Sequence, residues 1–306
     1  MSQLEAAPAA PTPAVDDSIA VVPLKHPARQ AFAVLLLVAA VAAAWNIATN
    51  HRFGWDVVAT YLFAPEILRG ALLTVVLTVI SMVAGVALGT ILAVMRISEN
   101  PIVSRISRGY IWFFRGTPLL VQLIFWYNIA ALYPTLSIGI PFGGPHLDLG
   151  SANALITPLF AALLGLSLNE AAYMAEIIRG GIGSVDKGQY DAAHALGMNN
   201  FQLMRRVVLP QAMRVVLPPT GNEVISMLKA TTLVSVLAIS DLLYSAQIIY
   251  SLNYRTIPLL IVASFWYLLM TSILSYFQDK LENHYGRGFA APAAPKRRRL
   301  ALRRTK

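Results

Sequence analysis

The sequence has no cysteine, few charges (13% of its residues) and only 15 acidic residues against 24 lysines and arginines. Without cysteine there is no disulfide framework, no thiolate metal site and no cysteine nucleophile, although the absence says little about compartment. The five histidines, His26, His51, His146, His194 and His284, are scattered, and no HExxH or other close metal-ligand spacing occurs. No metal site and no catalytic grouping of nucleophile and base is expected. A phosphate-binding GxxxxGK[ST] loop is also missing. The nearest stretch, "GGIGSVDKGQY", follows Lys187 with Gly188 and has no buried strand before it. The chain therefore reads as something other than an enzyme, and any nucleotide fuel has to be handled by another chain.

What the sequence has in quantity is apolar surface, at 57% hydrophobic residues in 306. A bilayer accounts for that surface better than a soluble core does. The formal net charge of +9 could suggest nucleic acid, but the basic residues cluster beside the hydrophobic runs, so membrane topology is the more economical reading.

Six apolar runs are long enough to span: Ala31 to Ala48, about Gly70 to Val94, Tyr110 to Leu132, Ala154 to Ile178, Glu223 to Ile248 and Ile257 to Phe277. The expected fold is an all-α polytopic membrane protein. Residues 1–30, rich in Ala and Pro, read as a disordered tail, and 31–49 as a first helix, with a cleaved signal peptide as the rival reading. Arginines and lysines crowd the loops after the second span (Arg96, Arg105, Arg108) and the fourth (Lys187, Arg205, Arg206, Arg214). The loop from Tyr133 to Asn153 has none, and the one after the fifth span has only Arg255. Both termini and the polar stretch near residue 191 are therefore expected in the cytoplasm. The basic tail, residues 285–306, reads as a positive-inside anchor with contact to anionic lipid.

Within the spans, Thr74, Thr78, Ser81, Gly85 and Gly89 form a stripe of small residues on the second, expected to admit another helix closely. The fourth carries Asn169, Glu170, Tyr173 and Glu176 in its cytoplasmic half. Carboxylates at membrane depth must pair or line water. Glu176 is read as pairing with a nearby arginine. For Asn169 and Glu170, lining a pathway and structural hydrogen bonding are equal readings. Thr231 and Thr232 lie where an aqueous passage could meet them, Glu223 and Lys229 read as structural, and Asp241 is expected to face water on the outer side.

The stretch "DAAHALGMNNFQLMRRVVLPQA", residues 191 to 212, is polar inside an oily chain. It reads as a short helix from Gly188 through Leu196 with Ala192, Ala193 and Leu196 on one side, and Gly197 as a left-handed cap. A second helix, capped by Asn199 or Asn200, would carry Phe201, Met204 and Val208 as its apolar stripe until Leu209 and Pro210 end it. Two short helices at a glycine elbow make a knob suited to a groove in a partner.

That stretch resembles the EAA loop of bacterial ABC importer permeases: E-A-A, three residues, G, nine residues, I, one residue, L-P. Asp191, Ala192, Ala193, Gly197, Val207, Leu209 and Pro210 occupy those positions, with Asp191 in place of Glu and Val207 in place of Ile. "FFRGTPLLVQLIFW" from Phe113 and "NEAAYMAEIIRGGI" from Asn169 resemble segments of the polar amino acid group, which handles histidine, glutamate, glutamine, arginine, lysine and opines. The resemblance covers roughly residues 68–284, where the last five spans look like the permease core. The first span and both tails lie outside it, and Ala230 in "LKATTL" departs from the polar or acidic residue often found there.

The resemblance implies a subunit of the bacterial inner membrane that forms a translocation path with a second permease chain, identical or related. A cytoplasmic ABC ATPase dimer holding ATP and Mg would drive it, and an external substrate-binding protein would deliver the amino acid. It implies coupling to the ATPase through residues 188–210, with Asp191, Ala192, Ala193, Leu196, Gly197, Leu209 and Pro210 in contact. Asn169, Glu170, Tyr173, Thr231 and Thr232 are the path candidates. The alternative, motivated by Glu170 and Glu176, is an ion-coupled secondary amino acid transporter.

Overall fold

The computed structural model describes residues 27–139, 144 and 146–285; most of the two expected tails, 1–30 and 285–306, lies outside them. The chain divides into two units, up to Phe53 and from Gly54 onward. The first contains α1 (Pro27–Thr49), an unbroken apolar helix with no buried residue, and a 3-10 turn (His51–Phe53).

The second unit begins with α2 (Trp55–Tyr61) and α3 (Pro65–Ile97). Proline at the first turn of α3 suits a position whose N–H has no partner in any case. No charged residue interrupts it between Arg69 and Arg96. α4 (Pro101–Gly116) starts where the Asn100 side chain accepts from the backbone N–H groups of Ile102 and Val103. α5 (Leu119–Tyr127) follows after a break. The expected third span, Tyr110 to Leu132, is thus two helices. Proline disfavours helical backbone in the residue before it, and Thr117, before Pro118, is extended at φ −114° and ψ 143°.

The following loop holds an antiparallel hairpin, β1 (Thr135–Gly139) with β2 (His146–Ser151), so the described residues are not wholly α. A single turn, α6 (Ala152–Leu155), leads to α7 (Pro158–Gly183), capped by the Thr157 hydroxyl, which accepts from Phe160 N at 3.2 Å. Then come α8 (Lys187–Ala195), α9 (Asn200–Leu203), a π-helical segment (Met204–Val208) and α10 (Leu209–Ala230). A 3-10 segment (Thr231–Leu237), α11 (Leu242–Asn253) and α12 (Thr256–Tyr285) complete the order.

Among the described residues four helices are individually long and apolar enough to cross a membrane: α1, α3, α7 and α12. A fifth crossing is possible if the run from Asn200 to Leu237 and α11, bent by 45°, count as one. The expected fifth span therefore starts earlier than Glu223, and left-handed Ala238 (φ 56°) interrupts it. The core joins α3, α5, α7 and α10 around Leu77, Leu123, Leu166, Met174 and Met227. A second cluster joins α2, α3, α11 and α12 around Ile67, Leu242, Leu259 and Val262.

The small-residue stripe on α3 is buried as its spacing predicts, its Gly85–Gly89 end against α7 and Thr74 against the start of α11. A Cβ at Gly85 would stand 2.5 Å from Glu170 Cγ, and one at Gly89 2.6 Å from Met174 Cβ. Lipid tails are as apolar as leucine, so such close backbone approach is what holds helices together in a bilayer.

Candidate functional site

The break before Pro118 frees backbone carbonyls inside an apolar environment, where an unsatisfied group costs several kcal/mol, of order 2–7. Gln122 on α5 repairs it. Its Nε2 donates to Phe114 O at 3.0 Å, Thr117 O at 3.1 Å and Thr117 Oγ1 at 2.7 Å. Asn169 on α7 completes the repair, its Nδ2 donating to Phe114 O (3.0 Å) and Gln122 Oε1 (3.1 Å). Asn169 is therefore committed to structural hydrogen bonds. Gln122 was missed in the sequence, although a glutamine four residues after a proline in an apolar run was its signal.

Glu170 is buried, with Oε1 lacking a hydrogen-bond partner, and Ser81 Oγ on α3 is likewise unpartnered. Glu223 on α10 is near enough for its charge to act on Glu170. Tyr173, one turn further along α7, lies under the Arg115 guanidinium, whose carbon is 5.2 Å from the ring centroid. Glu176 pairs with Arg179 at 2.7 Å, the arginine partner read from its position near the helix end.

Thr231 and Thr232 do not present free hydroxyls. Thr231, fully buried, donates to Leu228 O at 2.7 Å, and Thr232 to Lys229 O at 2.8 Å, both closing the end of α10. Asp241, expected to face outer water, is instead fully buried. It caps α11, accepting from Tyr244 N at 2.9 Å, and accepts from Tyr267 Oη at 3.3 Å. Thr74 Oγ1 on α3 accepts from Leu242 N, so the bend is tied to α3 and α12. A bent helix leaves backbone groups unpaired, and these side chains satisfy them.

The polar hairpin is present with altered detail. Asp186 caps α8 by accepting from Gly188 N at 2.7 Å, and Gly197 takes the left-handed conformation (φ 72°). Asn199 and Gln202 form a reciprocal capping box on α9. Asp191, Ala192, His194, Leu196 and Gly197 are exposed, Leu196 at 77%. Ala193 is not on that side. It packs inward with Ile182, Val185, Leu203, Val208 and Ala212.

The expected stripe of Phe201, Met204 and Val208 is also revised, because Phe201 is 71% exposed while Leu203 is buried. Leu209 and Pro210, both exposed, do not end the second helix. They open α10, and the path stays helical to Ala230. A proline ring would clash with the carbonyl four residues back in a regular helix, and the wider π-helical turn just before it gives the ring clearance.

A family model described as "Binding-protein-dependent transport system inner membrane component" matches residues 85–287. The chain belongs to this family. It is 47% identical over 294 residues to the arginine transport system permease protein ArgU of Corynebacterium glutamicum, covering 94% of this chain, α1 included, and 89% of the relative. It is 40% identical to the nopaline transport system permease protein NocM of Agrobacterium fabrum, covering 69% of this chain and 84% of that one.

Among solved structures it is similar to an amino acid ABC transporter with histidines (TM-score 0.63, 35% identity, 74% of this chain and 97% of the other). The MetNI methionine ABC transporter shares its fold (TM-score 0.53, 18% identity, 72% and 95%). The chain is thus an inner-membrane permease subunit of an amino acid ABC importer, a non-catalytic part that works with an ATPase and a binding protein. The ion-coupled alternative is not favoured.

Proposed function

We propose that this permease carries basic or other polar amino acids inward, and that residues 188–210 couple it to the partner ATPase. The observation that carries the substrate class is the 47% identity, over nearly the whole chain, to a permease named for arginine transport. The coupling reading is supported by the open side of α8, where Asp191, Ala192, Leu196 and Gly197 meet nothing within the chain's own core. Leu209 and Pro210 contribute at the start of α10, and Ala193 supports that surface from beneath.

Residues 68–284 form the permease unit in this reading, with 31–49 an additional helix. Six crossings result if α4 with α5 makes one broken crossing and α10 with α11 another bent one. Both termini then lie in the cytoplasm, in keeping with the arginine-rich loops. ATP and Mg reside on the partner ATPase dimer, and a second permease, identical or related, closes a path along α7 at Glu170 and Tyr173, with Asn169 and, at the neighbouring end of α10, Thr231 and Thr232 holding its wall through their hydrogen bonds.

The test is copurification of the tagged chain, identification of the bound ATPase, permease and external protein, and uptake of labelled arginine by cells carrying the system. ATP-dependent arginine uptake that disappears with the ATPase is expected. Uptake that survives deletion of the ATPase, or uptake restricted to apolar amino acids, overturns the reading.

A further inference from the structure

α4 carries three arginines and no acidic residue, and Glu99 in the loop before it is the nearest acid in sequence. The helix starts at the membrane edge and climbs inward. Ser104 Oγ donates to Arg96 O at 3.0 Å and Ser107 Oγ to Leu92 O at 2.7 Å, so each step forward on α4 is a step backward on α3. Arg96 closes the uncharged stretch of α3. The first turns of α4 therefore lie at headgroup level. Phe114, whose carbonyl accepts from Asn169 on α7, lies at the level of the lipid chains.

Ser107, Ile111 and Phe114 are buried, and the opposite side of α4 is open. That side is ordered along its length. Arg105, Arg108 and Trp112 follow at helical intervals of three and four, and Trp112 is 77% exposed. Beside them Ile102, Ile106 and Phe113 form an exposed apolar row. Gly109 lies between the two rows, where an added Cβ would meet nothing within 4 Å, and leaves a shallow channel along the helix. Arg115 is turned away, onto the Tyr173 ring of α7.

We propose that this side of α4 is a binding site for an anionic phospholipid of the cytoplasmic leaflet. Arg105 and Arg108 take the headgroup phosphate, which a guanidinium fork matches. Trp112 sits at the glycerol level, where indoles collect. An acyl chain lies in the channel over Gly109, against Ile106 and Phe113. Charge, indole and apolar side chain follow one another as headgroup, glycerol and chain do in a lipid. A cytoplasmic ATPase has no means of following this face to the depth of Phe113. A second permease would have to bury both arginines, which is costly unless its own carboxylates met them. The inference rests on the orientation that puts the loop between α3 and α4 in the cytoplasm.

The test titrates phosphatidylglycerol, and phosphatidylcholine with the same chains, into the purified permease–ATPase complex and follows bound lipid by native mass spectrometry. A basic residue beside an anionic lipid contributes about fivefold in binding, the equivalent of about 1 kcal/mol. Arg105→Gln together with Arg108→Gln is expected to weaken phosphatidylglycerol binding about twenty-five-fold and to leave phosphatidylcholine unchanged. Arg105→Lys with Arg108→Lys should keep the preference. Gly109→Leu, which adds bulk where the chain itself offers no contact, should weaken both lipids.

Equal binding of the two lipids by the unaltered complex would overturn the proposal. So would an equal loss of both in the double glutamine variant at unaltered melting temperature, or full binding by Gly109→Leu. Cross-linking of Trp112→Cys to another subunit in native membranes would put protein on this face and overturn it as well. The chain has no cysteine of its own, so Glu99→Cys reports orientation separately. An impermeant maleimide should label it from the cytoplasmic side alone. Labelling from outside overturns the orientation, whereas cytoplasmic labelling without a preference for phosphatidylglycerol removes the lipid site and leaves the orientation standing.

Discussion

The seam between α3 and α7 and the hairpin of α8 and α9 are both built from small residues, but they use them in opposite ways. In the seam, Gly85 and Gly89 bring two long helices so close that their missing side chains are filled by Glu170 and Met174. In the hairpin, Ala192 and Gly197 have nothing against them, and the large side chains Leu196 and Phe201 point away from the chain. The first region spends its shape internally and the second leaves it open. A soluble loop with no use for that face would bury Leu196 and Phe201 on the nearest apolar surface. Keeping them out on a capped, glycine-jointed scaffold fits a surface made for another protein.

The comparison breaks most sharply at Leu196. Leu196→Asp places a charge where the coupling reading puts an apolar groove, and an unpaired charge there costs several kcal/mol, roughly a hundredfold or more in the engaged state. Uptake and substrate-stimulated ATP hydrolysis should fall by about that factor while the melting temperature of the permease stays put, because the side chain touches little of its own chain. A melting temperature lowered as much as uptake would show that the face is internal after all.

The seam should respond in the reverse pattern. Gly85→Leu forces a branched side chain onto Glu170, and overpacking of this kind destabilises by about 1–3 kcal/mol. Folded protein recovered from membranes and its thermal midpoint should both drop. Any loss of ATPase binding should only follow that drop. Stability unchanged by Gly85→Leu would mean that α3 and α7 are not in contact at this level.

Much of this contrast was legible before any coordinates. Residues at intervals of three and four from Thr74 to Gly89 specify a buried stripe, and one periodicity is enough to read it. The hairpin was legible because its signals, Gly197 and Asn199, are local caps, while the Asp186 cap of α8 shows only in the structure. What stayed hidden depends on partners distant in sequence.

Asp241 sits in a position that hydropathy assigns to the outer surface, and only the approach of Tyr267 and Thr74 shows that it is buried. Pro118 lies in an apolar run that hydropathy carries straight through. That the break is tolerable inside the protein rests on Gln122 and, from another helix, Asn169. Pro210 was read as a stop because proline ends regular helices. The π-helical turn that lets it continue has no sequence signature of comparable strength.

Smaller changes sharpen the comparison at its edges. Gly197→Ala keeps the exposed face but asks an L-residue to hold a φ of 72°. No atom lies within 4 Å of the added methyl, so the effect is backbone strain alone, about 1 kcal/mol. Coupling should weaken by about fivefold at most, and Gly197→Asn, which tolerates the left-handed region better, should recover part of it. Equal losses from Ala and Asn would point to a clash with the partner instead.

The smallest effect belongs to the ion pair that closes α7. Glu176 and Arg179 are three residues apart, and their side chains are 24% and 42% exposed. Pairs of this kind contribute about 0.2–1 kcal/mol, and salt screens them. Glu176→Gln should therefore lower the thermal midpoint only slightly, and the difference from the unaltered protein should shrink as salt is raised. A large, salt-independent loss would mean that Glu176 is not a peripheral brace between the two regions. It would instead be coupled to Arg115, whose charge also acts on it, and Arg115→Gln in the same background would then reveal the coupling as a non-additive change in a double-mutant cycle.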